Sequence, residues 1–298
     1  MEKVIVICGP TASGKTALSI DLAKHINGEI VSADSMQIYK YMDIGTAKPT
    51  KEEMQGIKHY MIDIIYPNQR YSVANYQKDA IKAIDEIIAK GKRPIVVGGT
   101  GLYIDSLIYG IEYQDIKFDE QYREYLEKRV QAEGLEKLYQ EANQIDSQAM
   151  LKISHNDKKR ILRVLEIYHA TGKNKTQQEI ESRKNAPKYD YKVYELVWNR
   201  EVLYERINKR VDLMIEKGLI DEVKSICKKY NEFPTAMQGL GYKEVVKYLQ
   251  GEYSKDDMIE KIKMETRRYA KRQMTWFRKN KQNIRLDGAT AIWEELDE

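Results

Sequence analysis

Between an apolar run, Val4 to Ile7, and a segment of helical spacing, Ala17 to Ala23, the chain carries Gly9-Pro10-Thr11-Ala12-Ser13-Gly14-Lys15-Thr16. These eight residues fit G-x-x-x-x-G-K-[ST], a pattern that signals a phosphate site when a strand enters it and a helix leaves it. The glycines let the backbone curl until its N–H groups converge on phosphate oxygens, and the positive end of the following helix reinforces them. Lys15 adds a full charge at the terminal phosphates, and the Thr16 hydroxyl is the expected ligand of Mg2+. Which pyrophosphate is held is not written in the loop.

The loop demands a sheet behind it, and the sequence supplies one. Glu29 to Asp34 reads as a second strand, His59 to Ile65 as a third and Pro94 to Gly99 as a buried one, while Ser72 to Lys90 has a helical period and stops at Gly91. Strands alternating with helices predict a P-loop-type α/β fold, a parallel sheet with helices on both faces. From about 113 to 189 the composition shifts to polar, Glu-, Lys- and Gln-rich helical segments, read as an all-α insert. After Pro187-Lys188-Tyr189-Asp190, Val193 to Trp198 returns as a strand, Leu203 to Lys217 is a helix closed by Gly218, and the chain from Lys243 onward reads as helical. The expected division is a core of 1–112 and 190–298 with an insert of 113–189; 298 residues suffice for both.

Composition narrows the partners. No stretch approaches the roughly 18 apolar residues of a membrane helix, and the first residues lack the pattern of a signal peptide, so the expected location is the cytosol. Two cysteines, Cys8 and Cys227, exclude a disulfide framework and a cysteine-rich zinc module within this sequence. His59, His155 and His169 show no metal-ligand spacing and read as ordinary histidines. Lys and Arg number 50 against 46 Asp and Glu, a net +4, so a polyanion must be met by local clusters.

Two clusters stand out. Residues 261–282 hold nine Lys or Arg against the single acid Glu265, interleaved with Tyr269, Trp276 and Phe277, a mixture suited to phosphate contacts and base stacking. Its plainer reading is an amphipathic helix with Tyr269, Met274 and Phe277 in the core and a basic outer face. The second, His155 to Arg163, places Arg160 and Arg163 one helical turn apart. The 22 tyrosines far outnumber the three phenylalanines, and Tyr39, Tyr41 and Tyr242 lie in segments that otherwise look functional.

A P-loop hydrolase usually shows an apolar strand ending in Asp, which holds the metal and its water. Here Ile95-Val96-Val97 runs into Gly98-Gly99-Thr100-Gly101 instead. The carboxylate at a strand end is Asp34, and in a parallel sheet such a position faces the P-loop. A carboxylate there suits activation of an acceptor O–H or N–H, so transfer is favoured over hydrolysis. A turn or cap role for Asp34-Ser35 is the alternative.

The ordered set Gly9 to Thr16, Asp34-Ser35-Met36-Gln37-Ile38-Tyr39, Met42 to Pro49, Val97 to Tyr103, Ala236-Met237-Gln238-Gly239-Leu240-Gly241-Tyr242-Lys243-Glu244 and Lys271-Arg272-Gln273-Met274-Thr275-Trp276-Phe277-Arg278 resembles the bacterial tRNA dimethylallyltransferase family over nearly the whole chain. The resemblance implies transfer of a dimethylallyl group from dimethylallyl diphosphate to N6 of the adenine 3′ of the anticodon, with Mg2+, by a monomer. It assigns Asp34 as base, Thr100 to the meeting of the substrates, Lys15 and Arg206 to the diphosphate with Arg210 as the neighbouring choice. It assigns Asp34 to Gln37, Lys159-Arg160-Ile161-Leu162-Arg163, Gln238 to Lys243 and Lys271 to Arg278 to the tRNA, although Gln238 to Tyr242 also reads as a glycine-rich turn. The target base would be flipped out of its stack to be reached. Tyr76 stands where the family often has Phe. A P-loop small-molecule kinase, and a non-catalytic RNA-binding protein with a regulatory nucleotide, are the rival readings.

Overall fold

The computed structural model describes residues 1–111, 119–183 and 186–296. They fall into two compact units, Met1–Ile108 with Lys188–Glu298, and Tyr109–Pro187.

The larger unit runs β1 (Lys3–Cys8), α1 (Lys15–His25), β2 (Gly28–Ser32), α2 (Lys51–Met54), β3 (His59–Tyr60), α3 (Val73–Ala89), β4 (Arg93–Gly98) and α4 (Gly101–Ile108). The helical unit contributes α5 (Glu120–Glu133), α6 (Leu135–Ile145), α7 (Ser147–Met150), α8 (Lys158–Thr171) and α9 (Lys175–Ser182). The larger unit then resumes with β5 (Asp190–Val197), α10 (Arg200–Glu216), α11 (Leu219–Lys229), α12 (Tyr242–Leu249), α13 (Lys255–Phe277) and β6 (Ile284–Asp287).

The strands form one six-stranded parallel sheet in the order β3-β2-β4-β1-β5-β6. Central β1 is buried from Val4 to Cys8, which explains its unbroken apolar run: both faces of the sheet are covered. Val4, Val6 and Cys8 pack with Tyr76, Ile84, Tyr103 and Leu107 of α3 and α4. Ile5 and Ile7 point the other way, to Leu18 and Leu22 of α1 and to Tyr194. A third cluster joins α10, α11, α12 and α13 through Val211, Val223, Val245 and Ile262, and takes in Ile38, Tyr39 and Met42 of the loop after β2.

Two departures from the sequence reading have local causes. The run His59 to Ile65 is strand only at its first two residues, because Met61 and Asp63 adopt positive φ, 63° and 57°, which no strand can continue. Ile284–Asp287, read as helical, is an edge strand whose Leu286 pairs with Leu196. No described helix is long and apolar enough to cross a membrane.

Within the helical unit, Leu126, Leu138, Ala142, Ile161, Leu162 and Leu165 share one core. Ile161 and Leu162, expected to hold RNA, thus serve that core; on α8 only Lys159, Arg160 and Arg163 of the expected set face solvent.

Candidate active site at the carboxyl edge of the sheet

Parallel strands end on one edge, so the residues after β1, β2, β4 and β5 gather there. After β1 the chain turns through Ala12 (φ 63°) and Gly14 (φ 92°) into α1. Gly14 adopts the left-handed conformation at little cost, and the N–H groups at the start of α1 are left open to an anion. The loop is braced from three sides. Trp198, just past β5, donates its indole N–H to Ser13 O at 3.0 Å. Arg206 of α10 donates from Nε to Ala12 O at 2.8 Å while its guanidinium lies 4.3 Å over the Trp198 ring. Gln273 of α13 accepts the Thr11 N–H at 2.9 Å and donates to Gly99 O at 2.8 Å.

Lys15 bends back over the loop, donating to Pro10 O at 2.6 Å and Gly9 O at 3.0 Å. Burial first, then the charge of Arg210, hold its pKa down to about 8. Arg210 is itself lowered, by burial and by Arg206, and its Nη1 stands 3.5 Å from Thr11 Oγ1. Three cations therefore converge on a loop of open N–H groups and press on one another, an arrangement that an anion relieves.

Asp34 follows β2. Its Oδ1 accepts the N–H of Met36 at 2.8 Å and of Gln37 at 3.2 Å, while Oδ2 has no hydrogen-bond partner among the described residues. Burial raises its pKa, opposed by those two N–H bonds and by the charges of Lys15 and Lys48. The turn role is thus served by Oδ1, which leaves Oδ2 outside the turn's hydrogen bonds. Thr100 Oγ1 accepts the Ser35 N–H at 3.0 Å, which ties the loop after β4 to the residue beside Asp34. Tyr269 of α13 lies within hydrogen-bonding reach of Thr100, and burial with the Asp34 charge pushes its hydroxyl up to about 12.

The loop beyond Asp34 is held from α11. The Glu222 carboxylate accepts the N–H groups of Asp43, Ile44 and Gly45 at 3.0, 2.7 and 3.2 Å and the Tyr242 hydroxyl at 2.5 Å. Lys48, its side chain almost fully buried, bridges Asp43 and Asp63 at 2.6 Å each and reaches Tyr39 O at 2.9 Å. Replacing Glu222 by Gln removes the charge and one acceptor from this cradle. The expected cost is about 3 kcal/mol in thermal unfolding as residues 43–45 loosen. Unchanged melting would mean that Lys48 alone holds the loop.

The expected site residues thus divide. Gly9 to Thr16, Asp34, Ser35, Thr100, Arg206 and Arg210 share the carboxyl edge. Gln238 and Lys243 are exposed, as are Lys271, Arg272 and Arg278; Trp276 is only just so, and its indole donates to Asp105. Gln273 and Tyr242, expected at the RNA surface, are instead buried, because each spends its polar group on a brace described above. Gly239 and Gly241 are buried too, Gly239 packing near Met36. Trp198 and Glu222 went unread: Trp198 carried a signal in its place at a strand end, whereas Glu222 is one acid among many on a helix.

Comparison with known proteins bears on the same residues. A sequence model of the family described as IPP transferase matches residues 37–280. The tRNA dimethylallyltransferase of Acetivibrio thermocellus is 55% identical over 280 residues, covering 94% of this chain and 90% of that protein. That of Carboxydothermus hydrogenoformans is 50% identical over 297 residues, 100% and 96% of the two chains. Among solved structures, the tRNA isopentenylpyrophosphate transferase of Bacillus halodurans superposes with a TM-score of 0.73 at 41% identity over 99% of this chain and 93% of that one. A eukaryotic dimethylallyltransferase captured acting on tRNA gives 0.81 at 34% identity, over 97% and 74%.

Proposed function

The chain belongs to the IPP transferase family and is a tRNA prenyltransferase, and we propose that its carboxyl-edge site moves a dimethylallyl group from dimethylallyl diphosphate to N6 of the adenine 3′ of the anticodon. The observation that carries this reading is the pairing of three converging cations around the P-loop with a half-buried carboxylate whose Oδ2 has no hydrogen-bond partner among the described residues.

An exocyclic amine is a poor nucleophile, since its lone pair is delocalised into the ring, and it needs a base for its proton. Asp34 Oδ2 takes that proton as nitrogen bonds to the allylic carbon. The carbon–oxygen bond breaks on the far side, and both its electrons leave with the diphosphate, which the loop N–H groups, Lys15, Arg206 and Arg210 stabilise. Thr100, tied to Ser35, orients the amine. Mg2+ fits this donor set: the exposed Thr16 hydroxyl has no partner among the described residues, and Mg2+ takes few protein oxygens beside phosphate and water. When bound there it neutralises charge on the leaving group. Lys159, Arg160, Arg163, Gln238, Lys243, Lys271, Arg272 and Arg278 offer exposed contacts for the tRNA.

The test is incubation with Mg2+, radiolabelled dimethylallyl diphosphate and an unmodified anticodon stem-loop carrying adenine next to the anticodon. Label on that adenine is the expected outcome. No label in RNA, with ATP phosphate passed to a metabolite, would return the kinase reading.

The lowered pKa of Lys15 sets a pH dependence. Below about 8 the ammonium is charged before the donor arrives; above it, binding must first recruit a proton. Affinity for inorganic diphosphate should fall by up to about tenfold per pH unit on the alkaline side. A calorimetric profile flat through that range would mean that Lys15 does not meet the phosphate.

A further inference from the structure

One aromatic and basic patch has no part in the chemistry above. Residues 37–41 and 63–66 run side by side: Asp63 N–H donates to Gln37 O at 3.1 Å, Ile64 N–H to Ile38 O at 2.9 Å and Lys40 N–H to Ile65 O at 2.8 Å. This ribbon leads away from the residues beside Asp34 and ends in Tyr41 and Tyr66, which are 43% and 39% exposed. Their rings lie 6.2 Å apart at 28°. The Lys229 ammonium of α11 sits 3.8 Å from the Tyr41 ring centre and Lys40 sits 4.3 Å from that of Tyr66. Among the described residues neither lysine is in an ion pair.

Tyr41 holds φ at 69°, a conformation a tyrosine adopts only when its surroundings impose it. Its neighbours Tyr39 and Met42 are fully buried, so the chain anchors on both sides of this residue and turns its ring outward. Two exposed rings inclined at 28° to one another, each with a lysine ammonium over it that has no ion-pair partner among the described residues, offer aromatic and cationic groups to the bases and phosphates of a single strand.

We propose that Tyr41 and Tyr66, flanked by Lys40 and Lys229, form a stacking platform for unpaired anticodon-loop bases that neighbour the reacting adenine. This rests on the prenyl-transfer reading. The platform holds the loop in register while Asp34 works on the flipped base, and it acts on RNA affinity, not on the bond-making step.

The test uses the full chain and stem-loops with 2-aminopurine at each unpaired position in turn. Wild-type chain is expected to quench the probe at one or two positions. Tyr41→Ala is expected to lose that quenching and bind the stem-loop roughly tenfold more weakly, with turnover at saturating RNA and diphosphate affinity unchanged. Tyr41→Phe should keep the quenching, and Lys229→Gln, which leaves the backbone alone, should lower affinity and flatten its salt dependence. Wild-type transfer of label together with unaltered quenching and affinity in Tyr41→Ala and Tyr66→Ala would remove the platform and leave the prenyl-transfer reading standing. A wild-type chain that neither labels nor binds the stem-loop would remove both. Self-association abolished by Tyr41→Ala, with RNA binding intact, would overturn the proposal in favour of a second copy of the chain.

Discussion

Asp34→Asn should bind the diphosphate donor and the stem-loop as the unaltered chain does and lose transfer by roughly 10²- to 10⁴-fold. The substitution keeps an oxygen in place of Oδ1, so the N–H groups of Met36 and Gln37 retain their acceptor and the loop after β2 keeps its turn. What disappears is the basic Oδ2. Single-turnover rates with labelled donor, measured beside equilibrium binding of each substrate, separate the two effects. Transfer at the wild-type rate would remove Asp34 from proton abstraction and leave it a turn residue. Burial raises the Asp34 pKa, so in the unaltered chain the rate should fall on acidification at a pH above the ordinary carboxylate range, as the base takes up its proton before the amine can supply one.

Gly98→Ala should be as damaging by a different route. A Cβ at Gly98 would stand 2.2 Å from the Ala33 carbonyl oxygen, and a backbone atom cannot swing aside as a side chain can. β2 and β4 are hydrogen-bonded neighbours here, with Ala33 N–H donating to Val97 O at 2.7 Å and Thr100 N–H to Ala33 O at 3.1 Å. The added methyl must part these strand ends, moving Asp34 from the P-loop and Thr100 from Ser35. Stability should fall by about 3 kcal/mol, the upper part of the usual range for overpacking. Turnover at a temperature where the variant remains folded should fall by roughly a hundredfold, the penalty of a displacement near 1 Å. A variant that melts and turns over like the parent would show that the contact relaxes without disturbing the site.

Much of the fold was legible in local pattern. The phosphate loop lies in eight consecutive residues, and a contiguous motif needs no tertiary knowledge to be read. The central strands betrayed themselves because burial on both faces leaves an unbroken apolar run, as in Val4 to Ile7 and Ile95 to Val97. The short edge strand Ile284–Asp287 did not, since only Leu286 is buried and alternation over four residues is too brief a signal. Nor did the end of β3, where positive φ at Met61 and Asp63 answers to the packing of the loop and not to residue type.

Within the site, charge and motif singled out segments and were blind to the rotation of individual side chains. The basic stretch on α13 does present Lys271, Arg272 and Arg278 to solvent, yet Gln273, polar like its neighbours, turns inward. It does so because Thr11, 262 residues away in sequence, offers an N–H that must be paired in a partly buried place. Glu222 follows the same logic, accepting loop N–H groups that would otherwise go unpaired, and Tyr242 turns inward to donate its hydroxyl to Glu222.

The sequence by itself determined that this chain holds a phosphate loop on a parallel sheet and that a carboxylate waits at the end of the next strand, since both follow from the order of short local patterns. Only the tertiary structure decided which polar side chains brace that site and which remain exposed to solvent. That choice depends on which distant backbone groups need a hydrogen-bond partner once the helices have packed.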